Sequence, residues 1–203
     1  MSKDQLIIKR IIDLICSALL LLLAFTVIIL LYILVIFNSK QSGFYKSTRI
    51  GKHGRPFIMW KIRTMENIEW LDTTVTTSKD PRITAFGRFL RRTKLDELPQ
   101  LWNVLKGDMS LVGPRPDVSG FADKLQGEDR KVLTIRPGIT GLATLAFRNE
   151  EKLLAKQKNP ERYNRKVIWP EKVRINKLYI DKYSLLLDFK ILFKTIFGGK
   201  FTV

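Results

Sequence analysis

The residues best suited to do chemistry lie in KLDELPQLWNVLKGDMSLVGPRP, residues 94–116. Two carboxylates, Asp96 and Glu97, are adjacent in an otherwise strongly basic chain. Side by side, each raises the cost of ionising the other. Cations surround them in the sequence. Arg88, Arg91, Arg92 and Lys94 come just before, and Arg115 follows between two prolines. Lys61 and Arg63 sit in WKIRT, and Arg136 in IRPG. Planar guanidinium groups suit phosphate oxygens. A carboxylate kept ionised among them can attack phosphorus. Its neighbour can hold Mg2+, which takes one or two carboxylates plus substrate phosphates. For Asp96 alone the plainer reading is a helix cap; the cations shift the reading to phosphoryl transfer at a membrane surface.

The element that must position the pair is a helix. Leu98, Leu101, Trp102 and Leu105 follow at the spacing of one helix face. Pro99 falls in the first turn, where a missing N–H costs nothing, and Gly107 ends the run. This places Asp96 at or next to the N-cap, where free backbone N–H groups attract anions.

Upstream, Leu14 to Phe37 contains no charged residue. At about 1.5 Å per residue it reaches roughly 36 Å, enough for a hydrocarbon core of about 30 Å. A helix apolar on every face needs lipid or a large protein around it. Lys3, Lys9 and Arg10 precede it, and Lys40, Lys46, Arg49, Lys52 and Arg55 follow with no acid among them. The positive-inside rule then puts the globular part in the cytoplasm. Basic flanks on both sides fit a helix that enters and returns, but such a bend usually needs Pro or Gly, and this run has neither.

Two aromatic, β-branched runs flank GKHGRP within residues 44–63 and predict a β-hairpin. Residues 66–80 read as a polar loop. Pro81 is expected to open an Arg-rich amphipathic helix, which suits an anionic membrane surface as well as a core face. Residues 120–133 read as a short polar helix, RPGITGL (136–142) as a turn, and 150–182 as charged helix punctuated by two prolines. The apolar stretch through LLLDFKILF reads as an interfacial or core helix.

The 203 residues suffice for one domain with a real core. Lys and Arg number 36 against 19 Asp and Glu, a net charge of +17. A surplus of that size implies an anionic partner: nucleic acid, acidic lipid or a phosphorylated substrate. A lone cysteine, Cys16, forms no internal disulfide, and a single histidine, His53, leaves little for a histidine metal site or triad.

GFYKSTRIGKHGRPFIMWKIRTM, DPRITAFGRFLRRTKLDELPQLWNVLKGDMSLVGPRP and IRPGITGLA resemble the bacterial sugar transferase family of monotopic polyprenyl-phosphate phosphoglycosyl transferases. The likeness runs from about Lys9 to residues 185–192. It implies an enzyme that moves a sugar 1-phosphate from a UDP-sugar to undecaprenyl phosphate, releases UMP, and begins a membrane-linked glycan. It implies a two-step, Mg2+-dependent reaction in which Asp96 attacks the β-phosphate and Glu97 holds the metal or supports the dyad. Lys61, Arg91 and Arg115 would hold phosphates, with Arg63, Arg88 and Arg136 as further cations. Asp188 matches a family acid near the site, and Arg148-Asn149 matches a family Arg-Asn.

The implied fold is α+β and mostly helical: a membrane-anchoring helix over 1–40, re-entrant or spanning, and a cytoplasmic catalytic domain over 41–203 with a short β-hairpin and interfacial helices. The chain departs from the family twice. Phe25-Thr26 stands where a Ser-Pro break is usual, and a long segment of its own follows Arg148-Asn149, which is expected to help choose the sugar. The implied partners are UDP-sugar, undecaprenyl phosphate and membrane lipid, with a homo-oligomer left open and no nucleic acid. A membrane-tethered nucleic-acid binder, suggested by charge and four tryptophans, leaves the acid pair without a job, as does a non-catalytic scaffold.

Overall fold

A computed structural model describes residues 1–68, 73 and 75–199. Trp70, part of the expected loop over 66–80, and residues 200–203 lie outside the described residues. The architecture is α+β and mostly helical, as expected.

Helix α1 spans Lys3–Ser39. Ser2 opens it with a capping box: its Oγ accepts from the Gln5 N–H and the Gln5 side chain accepts from the Ser2 N–H. The helix therefore begins eleven residues before the charge-free run, and within that stretch Lys9 and Asp13 are buried and Arg10 partly so. Lys9 meets Asp188 at 2.6 Å, the Arg10 guanidinium donates to the Val104 and Leu105 carbonyls, and Asp13 accepts from the Leu111 N–H and the Ser110 hydroxyl. Each charge finds its partner in the body of the protein, which is what allows it to be buried. Further along, Ile28, Leu31 and Val35 pack against Ile62 and Leu90, while Leu22, Leu23 and Phe37 stay more than 70% exposed. The helix is continuous through Phe25-Thr26 and is long and apolar enough to cross a membrane.

The expected hairpin forms: β1 (Phe44–Ile50) pairs antiparallel with β2 (Pro56–Ile62), from Phe44 opposite Ile62 to Ile50 opposite Pro56. A 3₁₀ turn over Lys52–Gly54 connects them, with Gly54 at φ +77°. A second, parallel pair joins β3 (Ser110–Val112) to β4 (Gly138–Thr140). The sequence predicted only a turn at 136–142. Gly138 makes the pairing feasible, because a Cβ there would stand 2.1 Å from the Gly113 nitrogen.

Pro81 does not open a helix. Helix α2 spans Ala85–Thr93, and Thr84 caps it by accepting from the Gly87 N–H. Asp80 instead holds the Arg82 guanidinium and backbone N–H, and Met65 bridges to Ile83. Residues 120–133 also differ from expectation, forming 3₁₀ turns over Ala122–Lys124 and Gly127–Thr134 in place of an α-helix. Gly127 sits at φ +52°, outside right-handed helical space.

Helix α3 spans Gln100–Lys106, α4 Leu142–Ala146, α5 Glu150–Leu154 and α6 Pro160–Tyr163. A π-helical turn at Asn164–Ile168 leads into α7 (Trp169–Asp181), and α8 spans Leu185–Phe197. Pro160 opens α6, whereas Pro170 follows the π-helical turn inside a helical run that is unbroken from Pro160 to Asp181. The main core gathers Met59, Val104, Val112, Tyr179 and Ile191 from β2, α3, β3, α7 and α8, with Met109 from the link between α3 and β3. Outside it, α8 leaves Leu186, Phe189, Phe193, Ile196 and Phe197 exposed.

Candidate active site

The acid pair sits at the joint between α2 and α3. Lys94 ends α2 in a left-handed conformation, and a 3₁₀ turn over Leu95–Glu97 turns both carboxylates inward. Asp96 is 3% and Glu97 8% exposed. Asp96 is therefore not an exposed N-cap. Leu98 and Pro99 already have helical backbone angles, α3 begins at Gln100, and its cap has no side-chain bond.

Glu97 is the electrostatic hub. It accepts from Arg115 Nη2 at 2.6 Å and Nη1 at 3.2 Å, and from Lys61 Nζ at 3.3 Å, with Lys94 Nζ at 4.0 Å. Burial on its own would raise its pKa, but Arg115 and Lys61 outweigh this and hold it well below the usual carboxylate range. Glu97 in turn holds the Arg115 guanidinium above its ordinary value. Asp96 is placed differently. Its Oδ2 is 4.0 Å from Lys61, and its Oδ1 is buried with no hydrogen-bond partner among the described residues. Burial pushes Asp96 above the usual range, Lys61 opposes this, and Glu97 adds to it. Burial also lowers Lys61, against the pull of Glu97. One acid of the dyad is saturated with cations, and the other keeps a free oxygen.

Local structure explains the convergence. Lys61 comes from the end of β2. Asn103 locks β2 onto α3, donating to the Ile58 carbonyl at 2.7 Å and accepting from the Trp60 N–H at 3.1 Å. Arg115, between Pro114 and Pro116, follows β3 and also donates to the Ile139 carbonyl of β4. Arg91, on α2, reaches Thr64 Oγ1 at 3.4 Å and pairs with Glu151, and its charge acts on Asp96.

Of the residues singled out from the sequence, the structure brings Lys61, Arg91 and Arg115 to Asp96 and Glu97. The others have their contacts elsewhere. Arg63 donates to the Ser42 and Phe44 carbonyls, Arg88 to Ile83, Arg136 to Gly107, and Arg148 to Thr195 and Lys194. Asp188 is held between Lys9 and the Tyr179 hydroxyl, at 2.6 and 2.7 Å, and burial raises its pKa.

Three residues near the dyad escaped sequence reasoning. Arg49, on β1, is partly buried, with Asp117, Arg115 and Glu97 as its charged neighbours. Asn103 is fully buried, and so is Gln100, whose amide O and N both lack partners among the described residues. The signal for the last two was present: Asp96, Gln100 and Asn103 recur at i, i+4 and i+7, a polar stripe beside the apolar one.

Residues 4–200 match the profile of the bacterial sugar transferases. The chain belongs to the bacterial sugar transferase family. It is 35% identical over 200 residues to a UDP-glucose:undecaprenyl-phosphate glucose-1-phosphate transferase of Klebsiella pneumoniae, covering 96% of this chain and 40% of that protein. It is 36% identical over 213 residues to an undecaprenyl-phosphate galactose phosphotransferase of Salmonella typhimurium, again 96% against 40%. It is 35% identical over 205 residues to the exopolysaccharide production protein ExoY of Sinorhizobium fredii, 93% against 83%. The chain thus spans about 40% of the length of the first two relatives. The buried acid pair and its cations lie inside the region shared with all three.

Proposed function

We propose that this protein is a phosphoglycosyl transferase that moves a sugar 1-phosphate from a UDP-sugar to undecaprenyl phosphate and releases UMP. The observation that carries the reading is the asymmetry of the dyad: Glu97 fully engaged by Arg115 and Lys61, Asp96 Oδ1 buried and open. The family relatives named as undecaprenyl-phosphate sugar phosphotransferases support the substrates.

In this reading Asp96 Oδ1 attacks the β-phosphorus of the UDP-sugar. The bond from that phosphorus to the bridging oxygen breaks, and the oxygen leaves with UMP. Asp96 then carries the phosphosugar as an acyl phosphate. A phosphate oxygen of undecaprenyl phosphate attacks the same phosphorus, and the Asp96 carboxylate is released. Arg115, Lys61 and Arg91 neutralise the phosphate oxygens, and Glu97 keeps the first two in place. Water exclusion is built in, because both carboxylates are buried. Of the two roles expected for Glu97, metal binding or dyad support, its contacts favour support, since both of its oxygens already accept from Arg115; Mg2+ would then be held by Asp96 and the substrate's own phosphates. When bound, the ion would offset negative charge on the diphosphate.

The exposed apolar residues of α1 and α8, with Phe89 and Trp102, form the surface we assign to lipid. Contacts of α1 with the body at Lys9–Asp13 and again at Ile28–Val35 support both ends lying on the body's side of the membrane. A helix crossing about 30 Å of hydrocarbon would carry one end away from it. We place the body on the cytoplasmic face of the bacterial inner membrane and the product at the start of a membrane-linked glycan.

The test is UMP release by purified protein given undecaprenyl phosphate and a panel of UDP-sugars. Asp96→Asn abolishes release while the protein stays folded, as circular dichroism checks, because the substitution keeps the side chain's shape at a buried position. Full activity in that variant removes the nucleophile assignment.

A further inference from the structure

Arg91 is the site cation whose bonding runs outside the dyad. Its guanidinium pairs with Glu151 of α5, while its Nε is buried and has no partner among the described residues. Glu151 belongs to the segment after Arg148-Asn149 where this chain departs from its family's pattern. Its side chain is 43% exposed against 21% for Arg91, so solvent reaches the carboxylate more readily than the cation it covers. The backbone around it is anchored independently: the Glu151 carbonyl accepts from the Ser78 N–H, and Arg148 donates to the Lys194 and Thr195 carbonyls. Next to it, Glu150 is held by Lys172 at 2.7 Å and acts electrostatically on Arg115. Of two adjacent acids, Glu151 therefore pairs directly with Arg91, and Glu150 acts on Arg115 from further away.

The geometry points to Glu151 as an internal stand-in for substrate phosphate: it occupies Arg91 in the empty site and is exchanged for a diphosphate oxygen when the nucleotide enters. The inference rests on the phosphate-binding role given to Arg91 above. A partly exposed carboxylate is a suitable placeholder. It pairs with a half-buried cation that would otherwise have only the Thr64 hydroxyl and the Met65 sulfur, yet a pair this exposed is weak enough to be displaced. Because Glu151 sits on α5, the exchange also couples nucleotide entry to the position of that helix.

The test uses UDP, which carries the diphosphate but no sugar to transfer, and reads binding by calorimetry on the purified 203-residue chain in detergent with Mg2+. Glu151→Gln keeps the backbone anchor and removes the competing charge. It should bind UDP about twofold to fivefold more tightly, the range set by a partly exposed ion pair. Glu151→Ala should gain at least as much. Arg91→Met should bind UDP more weakly than the parent. In the Arg91→Met background Glu151→Gln should give no further gain, since a gain that survives there would reflect only the loss of one negative charge. Unchanged or weaker UDP binding by Glu151→Gln, or a gain that persists without Arg91, overturns the inference. UDP binding that depends on Arg91 but not on Glu151 refutes this inference alone. No UDP binding by the parent protein refutes the proposed function with it.

Discussion

Glu97→Gln tests whether the buried charge cluster is organised as described. The substitution keeps shape and one acceptor oxygen but turns the other oxygen into an NH2 donor facing a guanidinium. In the parent, Glu97 accepts three charge-assisted bonds, two from Arg115 and one from Lys61, at 8% exposure. Removing one partner of a buried ion pair costs about 3–5 kcal/mol, because the remaining charges stay buried and uncompensated. Relief of the repulsion on Asp96 offsets a small part of this. For a chain of this size 1 kcal/mol shifts Tm by about 2–4 °C, so the variant should melt roughly 6–20 °C lower at pH 7.

The effect has a definite pH dependence. Glu97 is depressed in the folded protein, so its contribution is present in full above its unfolded value of about 4.3 and is lost as pH falls toward the folded value. The gap between parent and variant should be widest at neutral pH and close below about pH 4. Thermal unfolding of both proteins in one detergent, followed by circular dichroism between pH 3 and 8, measures it. A gap at pH 7 below about 1 kcal/mol, or one equally large at pH 3, would refute the reasoning.

Two other substitutions probe the scaffold. Asn103→Leu strips the Trp60 N–H and the Ile58 carbonyl of their buried partner. At about 1–3 kcal/mol for each orphaned group, it should destabilise the protein by about 2–6 kcal/mol and speed hydrogen exchange at Trp60 first. Lys9→Met leaves Asp188, already raised by burial, with only Tyr179 to hold it. The folded state then favours the protonated acid, so the deficit should grow as pH rises from 5 to 8, and adding Asp188→Asn should flatten that dependence. A deficit in the single variant that does not change with pH counts against this account.

The sequence by itself determined the anchor and the hairpin, and it singled out the acid pair on which the proposed function rests. These depend on local signals: an uncharged run of membrane length, alternating β-branched residues around a glycine-rich turn, and an Asp-Glu dyad ahead of an amphipathic helix. Elements defined by long-range pairing were decided only by the tertiary structure. The three-residue strands β3 and β4 are too short for any periodicity, and they pair because Gly113 and Gly138 let two backbones approach. The ionisation of the dyad was equally hidden. Adjacent carboxylates are equivalent in a string of letters, and what separates them is that Arg115, from 18 residues on, and Lys61, from 36 residues back, both converge on Glu97. The same holds for Lys9 of α1, which reads as part of a basic flank and is buried because Asp188, 179 residues away, neutralises it. Charge type and spacing are local properties. Desolvation and pairing depend on what the rest of the chain brings to the same place.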